Sequence, residues 1–194
     1  MHYLCSIYKT FDNLHNLMQE FDINLFKEKL QTDLYQYLLE KKEIDEQTLI
    51  APELEEKWEA ITKSYLPDGV SEYRKFPTVS LGWMMYIGMA TAKFWNTDWE
   101  KYDAMDDLYA YMRKQRGFNQ MDDYIREEVL ELKGDDFNAM EKLVGECAAR
   151  THSFIQHQQL QPATREAFRA YLHSLQVLFN MGVAVEMRRS LKEI

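Results

Sequence analysis

Glu100, Asp103 and Asp107 recur at i, i+3 and i+7, and Asp123, Glu127 and Glu131 at i, i+4 and i+8. On a helix of 3.6 residues per turn each set lies along one face. Between the sets stand the basic run Arg113-Lys-Gln-Arg116 and then Gly117-Phe118. A tight turn there folds the two segments into an antiparallel hairpin, which sets Asp103 level with Glu131 and Asp107 level with Glu127 or Glu128. Carboxylates gathered in this way suit Mg²⁺ or Mn²⁺, which take hard oxygen ligands. One reading is therefore a divalent-metal-dependent phosphohydrolase, with Glu100, Asp103, Asp107, Glu127 and Glu131 as metal ligands.

The apolar residues of the same segments argue for a different orientation. Met105, Leu108, Tyr109 and Met112 on the first, and Met121, Ile125, Val129 and Leu132 on the second, must fill the seam between them. That turns the acids to solvent, where like charges at i, i+4 cost about 0.2–0.5 kcal/mol a pair.

A second kind of chemistry is apolar recognition. Trp83, Met84, Met85, Tyr86, Met89, Phe94, Trp95, Trp99 and Tyr102 fall within twenty residues. Methionine and aromatic side chains make adaptable walls, for a pocket or for ordinary core. Asn180 and Glu186 are polar in an apolar stretch, so each needs a partner or a cavity. Trp83, Tyr86, Asn180 and Glu186 are the candidate lining of a small-molecule pocket between helices over 78–95 and 163–191.

Other site chemistry finds little support. His152 and His157 lie about 140° apart on a helix and cannot share a metal from one face. Asp12, His15, Gln19 and Asp22 make a polar stripe without a third ligand of the right type. Cys147 falls on an apolar face, where a thiol is inert. Gly-x-Ser-x-Gly, Gly-rich phosphate loops and His-Glu-x-x-His are absent from the sequence. These failures lean the reading away from an enzyme, and no cofactor is expected.

Which elements would position these residues? Between Lys75 and Lys93 the chain carries no charge. Such a run, apolar on all sides, needs neighbours all round, and it falls short of the about 20 apolar residues of a membrane span. It predicts a buried central helix over 78–95. A second central helix is predicted over 163–191, whose middle, Val177 to Val185, is apolar on nearly every face apart from Asn180. Apolar spacing predicts further helices over 11–20, 23–42, 52–65, 98–116, 119–133 and 136–159. Pro67-Asp-Gly69 reads as a turn, Gly117 and Gly134 as left-handed helix ends, and residues 2–8 alternate weakly like a strand.

The fold expected is an all-α single-domain bundle of seven or eight helices over residues 1–194. A net charge of −9 disfavours nucleic acid and anionic membranes as partners. Cys5 and Cys147 lack metal or disulfide spacing, and no signal peptide is read at the N-terminus. A cytoplasmic location is expected. The function expected first is a non-catalytic interaction module, because the catalytic signatures fail; a homodimer or a protein partner is expected because the C-terminal helix is apolar on more faces than one contact needs.

Overall fold

A computed structural model describes residues 21–46, 54 and 56–192. The strand-like residues 2–8, the helix expected over 11–20, Cys5, Asp12, His15 and Gln19 lie outside the described residues. Among the described residues seven α-helices form an all-α bundle and no strand occurs.

Helix α1, Ile23–Glu40, starts where the Asp22 carboxylate accepts hydrogen bonds from the amides of Asn24 and Leu25 at 2.9 and 3.0 Å. This N-cap satisfies donors that a helix start leaves open. Phe26, Leu30, Leu34 and Leu38 follow at every fourth residue and are buried. Helix α2, Trp58–Tyr73, runs through the predicted turn at Pro67–Gly69. Pro67 stands on the exposed face, where the Lys63 carbonyl that loses its donor can be hydrated. Gly69 faces inward because the Tyr65 ring occupies the space of a side chain there.

Helix α3, Pro77–Asp103, contains the uncharged run, and residues 80–92 are all buried. It kinks at Asp98, whose φ and ψ are −159° and 68°. The helix expected over 98–116 is thus two pieces. The last turn of α3 ends at Asp103, and α4, Leu108–Arg116, starts afresh on an Asp107 cap. Gly117 ends α4 as expected, but at φ 81° and ψ 173°, a positive-φ conformation open to glycine and not the left-handed helical one.

The helix expected over 119–133 is also broken. Phe118–Gln120 is a 3₁₀ turn, Met121–Tyr124 is a short helix α5, and Ile125–Val129 is a π-helical turn closed by Leu130 N–H on the Ile125 carbonyl at 2.8 Å. Glu131, at φ 53°, and Gly134, at φ 56°, then reverse the chain into α6, Gly134–His157. Helix α7, Arg165–Lys192, completes the bundle.

Helices α3 and α7 run parallel at the centre. Their register is fixed by Ser80 with Tyr171, Lys93 with Glu186 and Asn96 with Ser190. Midway, Gly88 lies on the backbone of Phe179, and Gly182 on that of Met85 and Met89. A Cβ at either glycine would enter the space of a carbonyl oxygen, so the absent side chains let the two backbones touch. Helices α1, α2 and α6 pack around this pair, leaving α3 enclosed along most of its length. Among the described residues no helix is long and apolar enough to cross a membrane.

Candidate functional site

The acids singled out by spacing do not meet. Glu100 is exposed beyond the kink of α3. Asp103 pairs with Lys57 at 2.8 Å, and the same ammonium donates to the Asp103 carbonyl at 2.7 Å. Asp107 caps α4, accepting from Ala110 N–H at 2.8 Å. Glu127 and Glu128 hold Arg116 at 2.6 and 2.7 Å, and Glu131 is exposed past the π turn. The break at 104–107 and the π turn shift the two stripes out of register. Each acid is then spent on a cap, a cation or solvent. Among the described residues no group of three or more His, Cys, Asp or Glu is placed to hold a metal ion.

The apolar candidates divide. Trp83 and Tyr86 stand together in the wall of an open depression of about 280 Å³ between α3, the π turn and α6. Asn180 and Glu186 lie on α7 and do not line it. Glu186 is buried, 2.8 Å from Arg189 and 4.0 Å from Lys93. Asn180 is half-buried, among buried neighbours of α7.

Lining the depression beside Tyr86 is a residue that spacing did not bring forward. Arg126 is 7% exposed and bonds three carboxylates: Asp122 at 3.2 Å, Asp123 at 2.6 Å and Glu141 at 3.0 Å. Its guanidinium stacks over Phe137 at 4.5 Å and over Tyr86 at 5.6 Å. Arginine is suited to this place, because its planar fork both stacks and binds several acceptors. The π turn is what delivers it. One extra residue in the turn brings Arg126 inward beside Ile125 and Val129, while Glu127 and Glu128 face solvent.

The walls are held from behind. The Trp83 ring meets Phe118 edge-on at 4.5 Å, so it is fixed without any ligand. Burial pushes the Tyr86 phenol well above its usual range, so it stays neutral. Burial also raises the Asp122 carboxyl, against the opposing pull of Arg126. On the far side α6 presents Glu141, Gly145 and Ala149 at i, i+4 and i+8, all exposed. A Cβ on Gly145 would meet nothing within 4 Å. The opposite rim is Thr78 and Val79 of α3.

Nothing in this arrangement activates a nucleophile. The Cys147 thiol is buried on α6, and burial pushes it up to about 12. What the site offers is a preformed cleft with aromatic walls, a floor of small residues, and one cation outnumbered by carboxylates. Sequence signals for it did exist: Asp122 precedes Arg126 by four residues, the favourable order for an ion pair, and Phe137, Glu141, Gly145 and Ala149 share a helix face. That these two faces meet is a tertiary fact.

No protein-family model, curated protein or solved structure matches the chain.

Proposed function

We propose that the chain is a non-catalytic interaction module whose docking surface is the depression between α3, the π turn and α6. The observation that carries this reading is the built wall around an open floor. Trp83, Tyr86 and Arg126 are locked by Phe118, Phe137 and three carboxylates, whereas Gly145 and Ala149 beside them are left uncovered. A partner therefore meets side chains already fixed, and little ordering cost falls on binding.

The test is site-specific photocrosslinking in the cells that make the protein. A benzophenone side chain at Ala149 should give a discrete adduct, absent when the same group replaces exposed Glu59 on α2. Failure to obtain any adduct specific to position 149 removes the reading.

A second copy of the chain is the other occupant with an observation behind it. Phe76, Val79 and Phe168 are 57, 40 and 45% exposed, and the parallel register puts all three at one end of the α3–α7 pair. A two-fold dimer would cover them. Light scattering that returns the mass of one chain at micromolar concentration rules this out.

A further inference from the structure

We infer that the depression receives a partner helix that presents a lysine or arginine to Asp122 and Glu141. This rests on reading the depression as a docking surface, and it names what docks.

Charge decides the chemistry. One guanidinium, Arg126, faces three carboxylates, which leaves two negative charges in excess when all are ionised. Glu141 bonds Arg126 through Oε1 alone, and its side chain is 61% exposed. Asp122 is buried enough for its charge to be costly, so a second cation brought beside it relieves that cost. The chain carries a net −9, which selects a basic partner and works against a second acidic copy at this place.

Shape decides the form. Glu141, Gly145 and Ala149 lie at i, i+4 and i+8 along one exposed line of α6, the acid at one end and bare backbone along the rest. Val79, Gly82 and Trp83 face it from α3. A trough between two helices, floored by glycine and alanine, allows close approach of a third helix, which is the helix-in-groove mode of recognition. With its apolar side on the exposed Val79 and Ala149, such a helix has its basic residue at the Asp122–Glu141 end.

The experiment is an NMR titration of the full chain with three alanine-rich helical peptides. They are identical except for lysine, glutamine or glutamate at two positions four apart, and n-butylammonium serves as a fourth probe. The lysine peptide should shift the amides of Gly82, Gly145 and Ala149 and bind about tenfold tighter than the glutamine peptide. The preference should shrink with added salt and in Glu141→Gln, an exposed change that leaves the core untouched. Ala149→Trp should block the lysine peptide.

If the glutamine or glutamate peptide binds as tightly, the basic partner is wrong while the docking reading stands. If butylammonium matches the lysine peptide, the occupant is a small cation and not a helix. If no peptide moves these amides, the helix proposal is overturned, and the crosslink at position 149 then decides the docking reading by itself.

Discussion

At the scale of single residues, the structure assigns ordinary duties to the acids that looked most like ligands. Asp107→Ala should cost about 1 kcal/mol in urea denaturation, the worth of an N-cap, and Glu100→Ala should stay within about 0.5 kcal/mol of wild type. Millimolar Mg²⁺ or Mn²⁺ should leave the Tm unchanged, since tight binding to the native state would raise it by mass action. A rise abolished by Asp103→Asn would restore the hydrolase reading. Two histidines carry a pH prediction. Burial lowers both His152 and His173, and nearby Lys27 and Arg169 lower His173 further. From the depressed folded values up to an unfolded value of about 6.5, the unfolded chain binds more protons, so stability rises with pH in that window. Their contribution is therefore complete above about pH 6.5 and is lost as the pH falls below it. A His152→Gln, His173→Gln double variant should show a smaller drop in Tm than wild type between about pH 7.5 and about pH 5.5. Residue type and spacing singled out Trp83 and Tyr86, but as lining between α3 and α7, whereas they stand in the depression between α3, the π turn and α6. Arg126 was not legible, because its carboxylates arrive from two elements and a charged residue beside Ile125 reads as surface.

At the scale of elements, the boundaries that sequence misplaced have local causes. Apolar spacing ran unbroken through 98–116 because Tyr102, Met105, Tyr109 and Met112 keep the helical period across the break between Asp103 and Leu108. A π turn leaves no mark on a pattern read at 3.6 residues per turn, so 119–133 looked like one helix. Conversely, Pro67-Asp-Gly69 has turn chemistry but sits in α2, where tertiary contact with α3, Ser80 Oγ donating to the Gly69 carbonyl at 2.8 Å, outweighs local preference. Glycine substitutions separate the kinds of site. Gly88→Ala and Gly182→Ala should each cost about 1–3 kcal/mol or more, because the new methyl meets backbone that cannot move aside. Gly145→Ala, exposed in the middle of α6 and open around its Cα, should stabilise by about 0.5–1 kcal/mol. Thermal melts of the three variants check both signs.

At the scale of the whole molecule, the class of fold and its two central helices were readable because an uncharged run must be enclosed by its own chain when it is too short to span a membrane. Met85 is fully buried, so Met85→Asp should abolish cooperative folding, seen as loss of the thermal transition and of soluble yield. What composition did not reveal is that the two central helices are parallel, and parallel neighbours so distant in sequence impose an order in time. Ser80 and Tyr171, which meet in the core, stand 91 residues apart along the chain. At synthesis rates of about 5–20 residues per second, the apolar face of α3 leaves the ribosome about 5–20 seconds before the helix that covers it. For that interval the face of the uncharged run that α7 covers lies open. The nascent chain is then a client for chaperones, and a messenger that stalls before α7 yields a sticky fragment and not a smaller stable domain. Ribosome-bound chains arrested before residue 165 should associate with holdase chaperones, and chains arrested after α7 has emerged should release them.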